Sequence, residues 1–326
     1  MPTSHAQFHQ RRCRVLPSAA CLIAALATWS QAAPALAETP SGDALLRAMG
    51  KAERTVQYSG VVVMARQDAP TMVMRIWRSG LKRRMEYSAP QIMIGDLLTD
   101  DGSNVWRYHR ADNTAVQTKS AARSDTVGIS LEKIDRAFNV RVTGAATTAG
   151  RVAWVVLITP RNGGGGGHKF WIDRATKALL RVERLKAGGG AAEYVALKSV
   201  KFGPVPASLF RWSPPSGANV TRTSGTLFMQ LAQARQTARS WLQIPHYKPR
   251  GYLFESAVVD SGKGEAWLRY TNGLRRFSIF QQRTPDANAK SLQKVKGAWY
   301  WQRGGSRFLL VGPAAAEATK LAASVR

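Results

Sequence analysis

The chain has 326 residues, of which 47 are lysine or arginine and 20 are aspartate or glutamate, so its formal net charge is +27 at pH 7. Its two cysteines are Cys13 and Cys21, which excludes disulfides, thiolate metal sites and cysteine catalysis for everything beyond the amino-terminal segment. A length of this order usually makes one large or two ordinary domains.

The first 37 residues have the order of a cleavable export signal. A basic stretch with Arg11, Arg12 and Arg14 precedes an apolar run over 21–27, and the segment ends in small residues at Ala37; this order is typical of secretory signal peptides. The apolar run is too short for a bilayer-spanning helix, which needs roughly 20 residues. We therefore predict a periplasmic protein whose signal peptide is cleaved after Ala37. The general secretory route is favoured, and the arginine pair leaves the twin-arginine route open.

Removal of that segment would leave 44 basic and 20 acidic residues, and so a net charge of +24. In a cytosolic protein this excess would indicate nucleic-acid binding. Outside the cytoplasm the abundant polyanions are phospholipid headgroups and lipopolysaccharide phosphates, so we expect an anionic membrane surface or an anionic partner, and no nucleic acid. A solvated basic face explains the same composition and stays open as the alternative.

One amphipathic helix is predicted to open the mature chain. Leu45 and Met49 recur at helical spacing, and Ser41 or Asp43 is placed to cap the amino end. From Tyr58 the apolar period changes to two, which predicts an extended antiparallel sheet. Its predicted strands cover residues 60–66, 71–79, 82–87, 92–99, 104–109, 151–159, 169–173, 179–186 and 191–202.

A second domain is predicted from a change in composition. A short helix is expected over 130–138 within the first sheet, and after Phe210 the chain becomes rich in Pro, Ser and Gly, which ends the sheet. We predict a first domain over 38–220, a partly helical linker over 221–243 and a second domain over 244–326. The strands expected in the second domain cover residues 252–259, 266–270, 274–281, 297–302 and 306–311, and a helix is expected over 314–323.

Five short phrases of the first domain occur in an order known from one group of proteins. They are YSGVV at 58–62, RRMEY at 83–87, TDDG at 99–102, VWRY at 105–108 and KFWID at 169–173. Each phrase alone is ordinary strand or turn chemistry. In this order they resemble the LolA-like lipoprotein-carrier superfamily, which includes the periplasmic sigma-factor regulators of the RseB/MucB type.

The second domain distinguishes between the two relatives, because LolA-type carriers have one domain whereas the RseB/MucB type adds a smaller C-terminal domain. The phrases PHYKPRGY at 245–252, YTNGL at 270–274, SIF at 278–280 and VGP at 311–313 resemble that domain. Asn272 stands where an acidic turn residue would be expected, and both residue types suit such a turn. The resemblance to the RseB/MucB type thus covers nearly all of the mature chain.

This resemblance implies a fold and a function. The fold is α+β and mainly antiparallel β: a LolA-like half-open β-barrel wrapped on helices, followed by a smaller C-terminal α/β-sheet domain. The function is to bind the periplasmic segment of a membrane-anchored anti-sigma factor and to release it when mislocalised lipopolysaccharide or another envelope lipid binds, in an envelope stress response. The alternatives are a periplasmic lipid or lipoprotein carrier of the LolA type and a structural surface protein that holds polyanions.

Methionines crowd into the predicted sheet. Five of the seven that follow residue 37 lie between Met64 and Met93, and this unbranched side chain adapts to acyl chains of varied length. Together with the resemblance, the crowding predicts a concave lipid-binding face; a filled core is the alternative. The residues assigned to this face are Met72, Met74, Ile76, Met85, Tyr87, Met93, Trp106 and Tyr108.

Residues near a predicted hairpin of the second domain are expected to recruit the protein partner. Side chains close to a hairpin end are usually exposed, and exposed charges at an interface rim mainly raise the association rate. The assigned residues are Arg269, Tyr270, Arg275 and Arg276. The alternative is that these charges only keep a sheet edge soluble.

No arrangement of residues indicates an enzyme, a metal site or a cofactor. His109, His168 and His246 show no metal-ligand spacing. The glycine run at 163–167 lacks the Lys-Ser/Thr pair of a phosphate loop, and the carboxylate pair at 100–101 precedes a glycine and so predicts a turn. We therefore predict a binding protein without catalytic residues, metal or cofactor.

Overall fold

A computed structural model describes residues 39–67, 69–120, 134, 137–161, 163, 166–239, 241–272, 275–285, 288–295, 297–312 and 315–326. The predicted export signal and most of the predicted helix over 130–138 lie outside these described residues. The part from Thr39 to Arg326 forms one compact unit. Within the described part, no helix combines the length and the apolar character needed to cross a bilayer.

The first helix, α1 (Gly42–Ala52), begins where its capping residue predicts. Ser41 Oγ accepts a hydrogen bond from the Ala44 N–H at 3.2 Å, which satisfies one of the free donors of the first turn. Leu45 and Met49 are buried. The apolar side of α1 therefore faces the core.

Among the described residues, twelve strands form the first sheet, and all neighbouring pairs are antiparallel except β12 with β6. The strands are β1 (Gln57–Arg66), β2 (Ala69–Ser79), β3 (Lys82–Ala89), β4 (Leu97–Asp100), β5 (Asn104–His109), β6 (Thr114–Lys119), β7 (Phe138–Thr148), β8 (Arg151–Pro160), β9 (Gly167–Asp173), β10 (Leu179–Leu185), β11 (Ala191–Phe202) and β12 (Asn219–Arg222). Their spatial order is β12-β6-β5-β4-β3-β2-β1-β11-β10-β9-β8-β7.

Helix α1 packs against one face of this sheet, which we call the inner face. Val156 and Phe170, directly opposite each other in β8 and β9, belong with Leu45 and Met49 to one buried cluster. Directly opposite residues of neighbouring antiparallel strands point to the same face, and successive residues alternate. The register therefore assigns each strand residue to the inner face or to the opposite, outer face.

In the part of the chain that the structure describes, seven strands form a second, smaller sheet, and two helices accompany it. The strands are β13 (Thr226–Phe228), β14 (Leu253–Asp260), β15 (Glu265–Thr271), β16 (Arg276–Arg283), β17 (Lys290–Val295), β18 (Ala298–Arg303) and β19 (Ser306–Val311), in the spatial order β13-β14-β15-β16-β19-β18-β17. Helices α2 (Leu231–Ala238) and α3 (Ala315–Ser324) pack on one face of this sheet and bury Tyr270, Phe277 and Leu310. The predicted fold class, α+β with mainly antiparallel strands, is confirmed.

The predicted strand over 92–99 is wrong in its first half. Residues Gln91–Met93 form a 3-10 turn, and β4 begins only at Leu97. Gly95 has a φ of +88°, a left-handed conformation that interrupts an extended strand. Met93 therefore belongs to a turn.

Several strands were not predicted, and most of them lie at or near sheet edges. The edge strand β7 has the sequence FNVRVTGAATT and β17 has KSLQKV, and in both most side chains are exposed. Alternation of apolar and polar residues is weak in such strands, because neither face is fully buried.

Most of the predicted linker over 221–243 belongs to the second sheet. Strand β13 pairs with β14, and Ala234 and Ala238 of α2 are buried in the core of that sheet. The chain passes from one sheet to the other between Arg222 and Thr226. That the two sheets are separable domains stays a prediction.

Candidate functional site

A row of methionines lies on the inner face of the first sheet. Met64 is opposite Met72, Met74 is opposite Tyr87, and Ile76 is opposite Met85, so the register puts all six side chains on one face. We call this set the methionine row: Met64, Met72, Met74, Ile76, Met85 and Tyr87. The six belong to one apolar cluster, to which Leu180 and Leu197 also contribute.

Burial varies along the methionine row. Met74 is only 1% exposed, whereas Met72, Met85 and Tyr87 are half-buried. Burial raises the pKa of Tyr87 above its ordinary value, and the charge of Arg107 opposes that rise. The row thus has a filled centre and members that still present apolar surface to solvent.

Trp106 and Tyr108 do not belong to this row, and the prediction of one shared face is wrong for them. Trp106 is opposite Thr99, and Thr99 is opposite Arg84. Arg84 is the neighbour of Met85 in β3 and therefore points to the other face of the sheet. Both aromatic side chains therefore lie on the outer face, where they contact Trp212 with ring centroids at 5.5 and 5.4 Å. The period-two pattern within a strand could not reveal this, because the face depends on register between strands.

Positive charge borders the methionine row. Arg107 is opposite Leu98, which is opposite Met85, so this exposed arginine lies on the inner face beside the row. Arg83 lies two residues before Met85 in β3 and so points to the same face, and its Nε is 4.0 Å from Asp100 Oδ2. An apolar surface with cations at its border can accept an anionic amphiphile.

Tyr270, one of the four residues predicted to bind a partner, is core. It is 1% exposed and stacks on Phe277 with ring centroids at 4.9 Å, and burial raises its pKa above the ordinary value. Alternation along β15 puts Tyr270 on the face opposite Arg269, so the two could not have served one surface. The prediction is wrong for Tyr270.

Arg276 and Arg275 have different surroundings. Arg276 donates to both carboxylate oxygens of Glu255, with Nε–Oε2 and Nη2–Oε1 distances of 2.7 Å, and Glu255 is buried. Arg275 is exposed, and its backbone N–H donates to Asn272 Oδ1 at 2.8 Å in the predicted turn. The Arg276 contact stabilises the sheet, whereas the Arg275 side chain is accessible.

The second sheet presents an apolar row on the face away from α2 and α3. Val258, Trp267, Phe280, Leu309 and Tyr300 follow one another across five neighbouring strands, and Leu227 of β13 extends the row. We call these six residues the aromatic row. Phe280 is 36% and Leu309 38% exposed, and large exposed apolar patches usually mark interaction surfaces.

Arg269 lies at the border of the aromatic row. Its guanidinium carbon is 4.7 Å from the Trp267 ring centroid, and Trp267 stacks on Phe280 at 5.1 Å. A cleft of about 70 Å³ opens beside them, and its lining includes Lys119 of β6. The sequence pointed to Arg269 as a binding residue but not to Trp267 or Phe280. Trp267 could have been found, because residues two apart in a strand such as β15 share a face, which puts Trp267 beside Arg269.

The histidines and paired carboxylates have local roles. His109 Nδ1 is 2.9 Å from Asp96 Oδ1, and that hydrogen bond raises the pKa of His109. His168 is buried, and this burial lowers its pKa to about 4, with Arg275 and Arg184 adding to the effect. Among the described residues, no three His, Cys, Asp or Glu side chains lie close enough together to hold a metal ion.

The carboxylates at 100 and 101 form the predicted turn. Asp100 Oδ1 accepts from the Gly102 N–H at 2.9 Å, and Asp101 Oδ1 accepts from the Ser103 N–H at 2.7 Å. Both side chains hold the backbone between β4 and β5. The interpretation of this pair as a turn is confirmed.

The family model described as the MucB/RseB N-terminal domain matches residues 41–216. No curated protein matches the chain in sequence.

Solved structures of MucB resemble the chain over both sheets. The crystal structure of MucB is 18% identical, with a TM-score of 0.58 over 87% of this chain and 97% of that chain. MucB in complex with MucA(peri) is 19% identical, with a TM-score of 0.53 over 87% and 98%. The MucA/MucB complex from Pseudomonas aeruginosa is 18% identical, with a TM-score of 0.52 over the same shares. At these identities the likeness shows the fold alone.

Proposed function

This chain belongs to the MucB/RseB family, and from that premise we propose that it is a periplasmic regulatory binding protein that holds the periplasmic segment of a membrane-anchored anti-sigma factor. The family match supports this class of function. Solved complexes of MucB with MucA have the same fold over both sheets. Cleavage after Ala37 and export to the periplasm are part of the proposal.

The observation that carries the proposal is the aromatic row of the second sheet. Its exposed members, Phe280 and Leu309, offer apolar area. The cleft at the border of the row is lined by charged residues of both signs: Arg269, Lys119, Asp260 and Glu265. Buried aromatic residues dominate the energy of most interfaces, and charges at the rim mainly steer association. The cleft therefore has mixed charge, and the partner segment that fits is apolar with flanks that carry polar or charged groups of either sign.

Lipid binding at the methionine row is the second candidate function. The protein could bind lipid as a carrier does, or the bound lipid could be the signal that displaces the anti-sigma factor. Met72, Met85 and Tyr87 are half-buried, and Arg107 lies on the same face, separated from Met85 by Leu98. Acyl chains would pack on the thioethers, and a phosphate of a lipid such as lipopolysaccharide would meet the arginine. A filled core remains the competing interpretation of the row.

Calorimetric titration with the periplasmic segment of a membrane-anchored anti-sigma factor from the same organism tests the proposal. The wild-type protein should bind, and Phe280→Ala should weaken binding by about thirtyfold, equal to ~2 kcal/mol. Val152→Ala is the matched control, because Val152 is 48% exposed on the first sheet. Full-strength binding by Phe280→Ala would move the partner site away from the aromatic row, and no binding by the wild type would favour the lipid-carrier function.

A further inference from the structure

The turn between β3 and β4 exposes two large apolar side chains. Ile92 is 73% exposed, the largest value among the exposed large hydrophobic residues of the described chain, and Ile94 is 42% exposed. Ile92 lies within the 3-10 turn Gln91–Met93, and Ile94 is the residue that follows it. Single exposed hydrophobic residues are common, but two on one tip form a small apolar projection.

This projection is held in place by hydrogen bonds. The Met93 N–H donates to Pro90 O at 2.8 Å, and the Asp96 N–H donates to Met93 O at 3.0 Å. Buried Asp96 in turn accepts from the Arg110 N–H at 2.9 Å and contacts His109. The two isoleucines are therefore presented by an ordered turn, and no packing within the described chain accounts for their apolar character.

Basic residues lie in other turns at the same end of the first sheet. Because neighbouring strands are antiparallel, four other turns lie at the same end as the turn between β3 and β4. They connect β1 with β2, β5 with β6, β8 with β9, and β10 with β11. The exposed basic residues here are Arg66, the last residue of β1, and Arg110, Arg161 and Lys186 in the turns. Asp112 is the exposed acidic residue among the described turn residues, and Asp68 lies outside them. We call this end, with Ile92 and Ile94, the turn end.

We propose that the turn end docks on an anionic lipid bilayer, with Ile92 and Ile94 inserted among the headgroups and the basic turn residues against the lipid phosphates. Interfacial segments combine apolar side chains that enter the headgroup region with lysine and arginine that attract anionic lipids, and the turn end offers the same two features. Each basic residue near an anionic surface contributes attraction that falls off within a Debye length. The net charge of +24 expected for the exported chain adds long-range attraction.

The proposed docking also places the methionine row near the bilayer. The Gly95 N–H donates to Tyr87 O at 3.2 Å, and the Tyr87 N–H donates to Asp96 O at 3.0 Å, so the tip is joined directly to the end of the row. This docking goes beyond anti-sigma factor binding and does not depend on it. It would also hold if the methionine row proves to be a filled core.

Vesicle co-sedimentation of the compact unit Thr39–Arg326 tests the proposal. The probes are vesicles of phosphatidylcholine alone and vesicles containing phosphatidylglycerol, each at low and high salt. The wild type should bind the anionic vesicles at low salt and release them at high salt, and Ile92→Ser should reduce the partition coefficient about tenfold. Val152→Ser, at the opposite end of the same sheet and 48% exposed, should bind like the wild type.

A second measurement reports insertion directly and does not depend on a loss of binding. Both cysteines precede Thr39, so Ile92→Cys supplies a single thiol for an environment-sensitive fluorophore. Its emission should shift to the blue on anionic vesicles, and the same label at Val152→Cys should not shift. Unchanged binding by Ile92→Ser, equal binding to neutral vesicles, or an unshifted label at position 92 would each overturn the proposal.

Discussion

Met74→Ala should lower the free energy of unfolding by about 3 kcal/mol, whereas Met85→Ala should lower it by only about 1 kcal/mol. Met74 is 1% exposed within the apolar cluster that contains Val62 and Leu197, and truncation of such a side chain costs the transfer energy and leaves a cavity. Met85 is half-buried, so it loses less apolar contact on truncation. Urea unfolding of the two variants measures the difference.

The same residues separate a lipid-binding face from a filled core. Aspartate at position 74 would bury a carboxylate, so that substitution should disrupt folding. Met85→Asp puts the charge at a partly exposed position, and it should abolish binding of a fluorescent fatty acid while the protein stays folded, because each methylene removed from water contributes roughly 0.8 kcal/mol. Undiminished fatty-acid binding by folded Met85→Asp would refute the lipid-binding role of the row.

Four further outcomes are expected. Arg276→Ala should destabilise the protein by about 2 kcal/mol in urea titrations, because it leaves the buried carboxylate of Glu255 without its cation; a change below about 0.5 kcal/mol would contradict this. Burial lowers the pKa of His168 from 6.5 to about 4, so between pH 6.5 and pH 4 the unfolded chain binds a proton that the folded chain does not. The free energy of unfolding should therefore fall by up to about 3 kcal/mol as the pH drops through this range. His168→Gln should remove most of this pH dependence. Limited proteolysis should cut between about 213 and 225 if the two sheets are separable domains, and a resistant chain would speak for one continuous domain. The intact mass of periplasmic protein should correspond to a chain that begins at Glu38, and a mass that includes residues 1–37 would contradict the predicted cleavage.

Local signals in the sequence predicted local structure well. The cap at Ser41 and the turn at Asp100 and Asp101 follow from side-chain hydrogen bonds within a few residues, which sequence spacing alone specifies. Gly60 in the YSGVV phrase is explained by the fold, because a Cβ there would lie 2.2 Å from Ser199 O. That close approach of β1 and β11 is invisible in the sequence.

Long-range pairing limited the prediction of the site. Trp106 and the methionine row were assigned to one face, yet the register across β3, β4 and β5 puts them on opposite faces. A shift of one residue between strands exchanges the faces, and nothing in a single strand records it. For Tyr270 the sequence does carry the signal, because the alternation through Leu268 and Arg269 assigns Tyr270 to the core.

Site-specific photocrosslinking can show whether the anti-sigma segment docks on the aromatic row. A photoreactive phenylalanine analogue would replace Leu309, which is 38% exposed in that row, and in a second protein it would replace Val152 on the first sheet. Illumination in the presence of the purified periplasmic segment should join the segment to position 309 and leave position 152 unlinked. A segment that binds the protein but crosslinks at position 152, and not at position 309, would show that it docks elsewhere than on the aromatic row.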